Sequence, residues 1–270
     1  MGMNTGAYVH GYSDREGTRL QDQSQTLEEL LHHDTVYPTG SRVLEAGCGV
    51  GAQTVILARR SPLAHFTSME VSPSSLEAAK RAAAQALLTN VTFQIGDLFQ
   101  LPFAEASFDH VFVCFVLEHL TRPEMALSCL ARVLKPGGSL TVIEGDHGST
   151  LFHPHSARAW RTIQCLIDLQ ARGGGDALIG RRLFPLLTAA GFRDVSVSPR
   201  FVYADASRPT WVEGFTRRTY IAMVEGVREA ALAAGMMDPA SWEEGIADLR
   251  ASAGPNGVFC YTFFKGTAVK

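Results

Sequence analysis

A short apolar run that leads into glycines at every second position constrains the fold of this chain most. The run 43–46 precedes Gly47, Gly49 and Gly51, and an aliphatic helical pattern follows at 55–58. Glycine lets the backbone turn tightly and approach a ligand, at the start of a helix whose first N–H groups have no intrahelical partner. The pattern therefore predicts a strand, a ligand-binding loop and a helix of a nucleotide-binding α/β fold. Dinucleotide-binding enzymes use such a loop as well.

Three acidic residues make this glycine loop more specific. Glu45 stands two residues before the first glycine, where a dinucleotide-binding loop normally has another glycine. Glu70 closes the next apolar run, 19 residues after Gly51, at the distance where an acid meets ribose hydroxyls. Asp97 closes the third apolar run. Together these acids are more specific than a glycine loop alone, and a Rossmann-type protein that binds another nucleotide is the alternative.

The order of these motifs, from Val43 to Ile143, resembles the class I S-adenosylmethionine (SAM)-dependent methyltransferases. It is nearest the small-molecule branch that includes the quinone C-methyltransferases, and residues 96–98, 108–120 and 134–138 match further motifs of that family. The resemblance implies an α/β, Rossmann-like fold with a seven-stranded, mostly parallel sheet, helices on both faces and a helical lid. It also implies an enzyme that transfers a methyl group from SAM to a small organic acceptor by in-line displacement, with S-adenosylhomocysteine as product.

The same resemblance assigns residues to the cofactor. Glu70 would accept hydrogen bonds from both ribose hydroxyls, Asp97 from the adenine amino group, and the amide of Leu98 would serve a ring nitrogen. Cys114 and Phe115, at the end of the fourth strand, would meet the methionine end. The full set of predicted cofactor-binding residues is Glu45, Gly47, Cys48, Gly49, Gly51, Glu70, Asp97, Leu98, Cys114, Phe115, Tyr12 and Arg19.

Candidate catalytic residues surround the end of the fifth predicted strand. Residues 144–149 follow that strand, at the edge where open α/β sheets bind ligands. His147 is the first candidate for a general base because an imidazole titrates near neutral pH; Asp146 and His119 come next. A loop histidine that only lines the pocket is the alternative for His147, and a packing or capping role is the alternative for His119. The spacing of the nearby histidines matches no metal-site pattern, so no metal is expected.

The periodicity of apolar residues divides the chain into a core and helical covers. An N-terminal cap helix is predicted within residues 1–40. The SAM-binding core is predicted at 41–204 and 258–270, with residues 147–178 partly in the cap. Residues 205–257 lie between the last two predicted strands and are predicted as a helical lid, because a hairpin connection needs only a few residues.

Composition and charge limit the partners of the chain. With 270 residues, 46% of them hydrophobic, the chain can bury a sizeable core. The net charge is −3 and the arginines are scattered among acids, so nucleic acid is not an expected partner. No apolar run reaches membrane-spanning length, the N-terminus does not resemble a signal peptide, and the five cysteines form no CxxC pair. We therefore expect a cytoplasmic protein that does not bind membranes; a homodimer is left open.

Two other functions remain compatible with the sequence. One is an enzyme that uses SAM for another reaction, such as cyclisation or rearrangement. The other is a SAM-binding module without catalysis. The sequence does not identify the acceptor or its methylated atom, which is oxygen, nitrogen, carbon or sulfur.

Overall fold

A seven-stranded sheet forms the centre of the molecule. The computed structural model describes residues 14–270, without the side chains of residues 14–18 and Gln21. The strands are β1 (Arg42–Ala46), β2 (His65–Glu70), β3 (Val91–Ile95), β4 (Phe108–Cys114), β5 (Leu134–His153), β6 (Arg193–Asp205) and β7 (Val258–Val269). Their order is β3-β2-β1-β4-β5-β7-β6, and β7 is antiparallel to both of its neighbours while the other pairs are parallel. The predicted Rossmann-like, seven-stranded and mostly parallel sheet is confirmed.

Helices cover both faces of this sheet. Those that precede β6 are α1 (Asp14–His32), α2 (Ala52–Arg60), α3 (Pro73–Gln85), α4 (Pro123–Val133), α5 (Ala157–Arg172) and α6 (Leu183–Ala189). Between β6 and β7 lie α7 (Pro209–Trp211), a π-helix (Val212–Ile221), α8 (Ala222–Gly226), α9 (Arg228–Ala233) and α10 (Pro239–Ala251). The segment that joins β6 to β7 is therefore mostly helical.

Local sequence explains where several of these helices begin. The hydroxyl of Ser72 accepts a hydrogen bond from the backbone N–H of Ser75, and Pro73 occupies the first turn of α3. Ser156 and Asp238 cap α5 and α10 in the same way. A short polar side chain before the first turn satisfies a backbone donor that has no intrahelical partner, which favours a helix start at these positions.

The two faces of the sheet belong to two different apolar clusters, because successive side chains of a strand point to opposite faces. In β1, Val43 packs in the cluster that includes α5 and the helices after β6. Its neighbour Leu44 packs in the cluster on the other face, with residues of α4 and α6. Val224 and Trp242 are buried in the same cluster as Val43. The helices between β6 and β7 therefore share an apolar core with the sheet.

Strand β5 is longer than the sequence predicts, which changes where the catalytic candidates lie. The prediction ends the fifth strand before Glu144, whereas β5 continues to His153 because β7 pairs with it over that length. The pairing register shifts between Asp146 and Leu151, so the residues between them form an irregular bulge. His147 therefore lies in a bulge within the sheet rather than in a loop that follows it.

Three further properties concern the described residues. Within residues 14–270, no helix is long and apolar enough to cross a membrane. All five cysteines are free thiols, and four of them are buried. In the same part of the chain, His, Cys, Asp and Glu form no group of three or more that could hold a metal ion.

Candidate active site

A cavity of about 220 Å³ lies at the carboxyl ends of the parallel strands. Loops after β1, β2, β3 and β4 form one side of its wall, and residues of β5, β7 and the π-helix form the other. Leu20 and Gln23 of α1 also line it. This edge is where open α/β sheets bind ligands.

The cavity brings together most of the residues that the sequence assigns to the site. The predicted residues that line it are Arg19, Gly47, Cys48, Gly49, Glu70, Asp97, Leu98, Cys114, Phe115, His119 and His147. Glu45, Gly51 and Asp146 are absent from its wall. Tyr12 lies outside the described residues.

Glu45 lies beneath the glycine loop rather than in the cavity, which corrects its predicted contact with the cofactor. Its Oε2 accepts hydrogen bonds from the hydroxyls of Thr54 and Ser68, each at 2.6 Å. Burial raises the pKa of this carboxyl to about 7. Because the side chain connects β1, β2 and α2 below the loop, its role in this structure is to support the loop.

Gly51 and Asp146 are also engaged elsewhere. Gly51 has φ 81°, and a Cβ there would lie 2.8 Å from the Cα of Ala79, so the glycine allows the loop to pack on α3. The buried carboxylate of Asp146 accepts two hydrogen bonds from the guanidinium of Arg181, at 2.7 and 2.8 Å. A carboxylate held in this bidentate ion pair is poorly suited to remove a proton from an acceptor.

Glu70 organises the loops on one side of the cavity. Its Oε2 accepts a hydrogen bond from the N–H of Gly49 at 3.0 Å, and its Oε1 accepts one from the N–H of Ser72 at 2.9 Å. A carboxylate has about four lone-pair positions, so two backbone bonds leave capacity for further donors. The side chain therefore has the hydrogen-bonding capacity that a pair of ribose hydroxyls requires.

The neighbouring loops present backbone and a second acid to the same space. Gly49 has φ 52°, and a Cβ at this position would meet no atom within 4 Å because it would stand in the cavity. The Oδ1 of Asp97 accepts a hydrogen bond from the N–H of Phe99 at 2.8 Å, which fixes the carboxylate at the cavity wall. The loops thus form a cradle for a ligand that approaches the backbone closely.

Phe115 lies where the part of the cavity formed by the loops meets the part lined by aromatic rings. Its φ of 56° is unusual for a bulky residue, and such strained positions cluster at functional sites. Its N–H donates to the carbonyl of Ile143 at 2.9 Å, and its ring centroid lies 5.4 Å from that of Phe263. The strained backbone therefore turns the chain at the end of β4 towards the aromatic side of the cavity.

His147 lies on that aromatic side. Its Nδ1 is 2.7 Å from the hydroxyl oxygen of Tyr261, whereas its buried Nε2 has no hydrogen-bond partner among the described residues. Burial lowers the pKa of His147 below its ordinary value, so the ring is neutral at neutral pH. An imidazole nitrogen without a partner, in a side chain that lines a cavity, is available to a bound molecule.

Aromatic rings surround His147 and were not predicted as site residues. Phe215, Tyr220 and Phe263 line the cavity with Tyr261, and their ring centroids lie 5.6, 5.4 and 4.8 Å from the ring of Tyr261. The alternation of Phe259, Tyr261 and Phe263 along β7 was the available signal, since residues two apart share one face of a strand.

The hydroxyls in this wall already have partners. Tyr220 lies 2.6 Å from the hydroxyl of Thr150, which donates to the carbonyl of His147 at 2.9 Å. Thr150 has a single hydroxyl hydrogen, so Tyr220 is the donor in their shared bond. The hydroxyl of Thr219 donates to the carbonyl of Gly214. This side of the cavity is therefore lined mainly by aromatic rings, together with His147.

A pair of buried carboxyls lies near the end of β4. Glu118 lines the cavity and accepts a hydrogen bond from Nε2 of Gln170 at 3.2 Å, while His119 lies 3.7 Å from its Oε1. Glu144 is fully buried, and burial together with the charge of Glu118 raises the pKa of Glu144 well above its ordinary value. Glu118 is a further residue of the cavity wall that the sequence prediction missed.

Comparisons with known proteins match this arrangement. The methyltransferase domain family matches residues 44–142. The 27-O-demethylrifamycin SV methyltransferase of Amycolatopsis mediterranei (strain S699) is 27% identical over 83% of this chain and 76% of its own length. The ubiquinone/menaquinone biosynthesis C-methyltransferase UbiE of Roseobacter denitrificans is 36% identical over 39% of this chain and 42% of its own length. The chain carries a class I SAM-dependent methyltransferase domain.

A likeness of fold to a solved structure extends beyond the matched domain. The solved structure of the cyclase SpnF is similar to this chain with a TM-score of 0.55 and 23% identity, over 93% of this chain and 80% of that one. That likeness concerns the fold alone. The chain spans between 42% and 57% of the length of several curated relatives that it matches.

SAM is the cofactor of this methyltransferase domain, and the residues present fit it. The open space at Gly49 lets a ligand approach the backbone, and the acids Glu70 and Asp97 line that part of the cavity. Two acids in this part of the wall suit a cationic nucleoside.

Proposed function

We propose that the chain transfers a methyl group from SAM to a hydroxyl group of a small, largely apolar molecule, with His147 as the general base. One observation carries this proposal: the unpartnered Nε2 of a buried, neutral histidine in the wall of the cavity. Bound SAM supplies the methyl group from its sulfonium centre. In all other steps, residues of this chain bind SAM and the acceptor, orient them and remove the proton of the acceptor.

The side of the cavity formed by the loops after β1, β2 and β3 would hold the cofactor. Glu70 would accept from the ribose hydroxyls, Asp97 from the adenine amino group, and the backbone at 47–49 would approach the methionine and ribose portions. Cys114, Phe115 and Arg19 of α1 would meet the methionine end. The positions of these residues along one cavity support these assignments.

His147 would remove the proton of the acceptor hydroxyl. A base must be neutral before it accepts a proton, and the lowered pKa of His147 keeps it neutral through the physiological range. As the acceptor oxygen forms its bond to the methyl group, the hydroxyl proton passes to Nε2. His119, which also lies near Glu118, lines the same cavity and would contact the acceptor as well.

The walls beside His147 support an apolar acceptor. The hydroxyl of Tyr220 donates to Thr150 and the hydroxyl oxygen of Tyr261 is bonded to His147, so the acceptor would contact mainly the two rings. Phe215, Phe263 and Met223 extend the same wall. Sites of this kind bind mainly through apolar contact, and a few polar groups orient the ligand.

The helices around the cavity would act as covers. α1 supplies Arg19, Leu20 and Gln23, and the π-helix supplies Phe215 and Thr219. Long π-helices are rare, and π-helical turns occur frequently at functional sites. We propose that α1 and the helices between β6 and β7 exclude water from the site.

A labelled-methyl assay tests the proposed function. The chain is incubated with methyl-labelled SAM and separate panels of phenols and alcohols, amines, and thiols of similar size. We expect S-adenosylhomocysteine and a methylated product in stoichiometric amounts with hydroxyl acceptors. Product formation confined to amines or thiols would contradict the hydroxyl assignment. Conversion of an acceptor without consumption of SAM would support the cyclisation or rearrangement alternative, and SAM binding with no conversion would support the binding module.

A further inference from the structure

We infer that Tyr261 is a positioning residue that holds His147 in the tautomer with its hydrogen on Nδ1, so that Nε2 carries a lone pair and no hydrogen. The hydrogen bond is observed in the structure, whereas its role in catalysis rests on the proposed function. The two residues are 114 positions apart in the chain, and their polar atoms are 2.7 Å apart.

The packing around Tyr261 fixes the position of its hydroxyl oxygen. The phenol ring is buried among Phe215, Tyr220 and Phe263. A Cβ on Gly145 would collide with the hydroxyl oxygen, so the absence of a side chain there makes room for it. Burial raises the pKa of Tyr261 well above its ordinary value, and the phenol is therefore neutral at physiological pH.

The direction of the hydrogen bond follows from what each tautomer would leave unsatisfied. With its hydrogen on Nε2, His147 would bury a ring N–H that has no partner among the described residues and cannot rotate. With its hydrogen on Nδ1, the ring donates to Tyr261, and only an acceptor lone pair remains at Nε2. The hydroxyl hydrogen of Tyr261 can rotate towards the cavity, which this residue also lines.

The same bond would also stabilise the protonated ring. An imidazolium donates from both nitrogens, and the oxygen of Tyr261 can accept from Nδ1. The charged and titratable groups that act on His147 are Glu118 and Asp146, which raise its pKa, and His119 and Arg19, which lower it. These groups stay in place when only the hydroxyl of Tyr261 is removed.

Nitrogen-15 NMR of the imidazole rings tests this inference without turnover. Spectra at pH 7.5 would be recorded for the chain with S-adenosylhomocysteine, in the wild type, Tyr261→Phe and Tyr220→Phe, with His147→Gln to assign the signal. We expect mainly the Nδ1–H form of His147 in the wild type and a shift of at least half of the population to Nε2–H in Tyr261→Phe. Tyr220→Phe is the matched control, because its hydroxyl bonds to Thr150 and not to the ring.

Two results would overturn the inference: mainly the Nε2–H form in the wild type, or the same tautomer ratio in the wild type and Tyr261→Phe. A titration adds a second measurement. Loss of a hydrogen bond to a charged group should lower the pKa of His147 by about one unit in Tyr261→Phe. An equal pKa in both proteins would count against the inference.

Turnover separates this inference from the proposed function. With any hydroxyl acceptor that the wild type methylates, Tyr261→Phe should lower kcat about tenfold and leave the KM for SAM unchanged. A wild type that methylates no acceptor would contradict the proposed function, while the tautomer measurement would still decide the role of Tyr261. If Tyr261→Phe showed the expected tautomer shift but kept the wild-type kcat, Tyr261 would set the tautomer of His147 without contributing to catalysis.

Discussion

The two sides of the cavity are built in different ways. The side proposed for the cofactor includes the loops after β1, β2 and β3, in which Gly49 and Asp97 act close to the strands that carry them, and Glu70 binds backbone of adjacent loops. The side proposed for the acceptor joins the bulge of β5, the π-helix and β7, so that His147 depends on Tyr261, 114 residues later.

This difference explains why the geometry of one side could be predicted from sequence motifs and that of the other side could not. A glycine loop and an acid at a strand end act through local backbone geometry, which a short motif encodes. A base acts through its protonation state and orientation, which depend on burial and on partners from distant elements. The proposed cofactor side should therefore respond to changes within its motifs, and the acceptor side to changes far from His147.

The largest effect is expected when His147 itself is removed. His147→Ala should lower turnover on a hydroxyl acceptor by about 10²–10⁴-fold, the usual contribution of general acid–base catalysis, with little change in SAM affinity. Because the pKa of His147 lies below its ordinary value, the wild-type rate should fall only at pH values below about 6.5. Steady-state kinetics across pH and calorimetry with SAM measure both quantities. His65→Ala, an exposed residue at the start of β2, serves as the control.

If His147→Ala lost SAM affinity and kept its turnover at saturating SAM, the division into two sides would be wrong at this residue. A wild-type turnover rate in the variant would exclude the ring from the mechanism. His119 would then be the next residue to replace.

Removing Glu70 tests the cofactor side. Glu70→Ala should weaken SAM binding by about 1–3 kcal/mol, because hydrogen bonds to a charged group and the support of the Gly49 loop are both lost. Calorimetry gives the dissociation constant. Glu77→Ala is the matched control, since this exposed acid of α3 pairs with Lys80 outside the cavity. Equal affinity in wild type and Glu70→Ala would place the ribose elsewhere.

A double mutant sharpens the comparison at the acceptor side. Gly145→Ala should lower the free energy of unfolding by about 1–3 kcal/mol, because its Cβ collides with the hydroxyl of Tyr261. In the Tyr261→Phe background, the same change should cost about 1 kcal/mol less, since the colliding atom is gone. Urea denaturation of the four proteins measures this coupling. Additive effects would show that Gly145 is not the space that the tyrosine hydroxyl requires.

The smallest effect is expected beneath the glycine loop. The folded-state pKa of Glu45 is raised to about 7, so the fold favours the neutral acid; this favourable term is complete below about pH 4.5 and is lost as the pH rises through 7. Glu45→Gln keeps an oxygen that can accept from Thr54 and Ser68 and removes the charge. It should raise the free energy of unfolding by about 1 kcal/mol at pH 8 and change it little at pH 5. A gain of equal size at both pH values would contradict this explanation.

Much of the fold could be predicted from the chain because its signals are local. Alternating strands and helices predicted the parallel sheet, and the spacing from Gly47 to Asp97 predicted the loops that now line the cavity. The predictions of site residues were less accurate for side chains that can bond to a residue of another element instead of a ligand. The place of Glu45 depends on two hydroxyls and that of Asp146 on Arg181, and no spacing rule connects these residues.

The sequence by itself determined the features that depend on interactions between residues close in the chain: the glycine loop, the acids at the strand ends and the capped helices. Only the tertiary structure decided the state of the candidate base. Pairing with β7 extended β5 through Glu144 and placed His147 in a bulge, where burial lowers its pKa and Tyr261 holds one ring nitrogen. Burial and long-range hydrogen bonds arise when distant segments pack together, so a linear motif does not contain them.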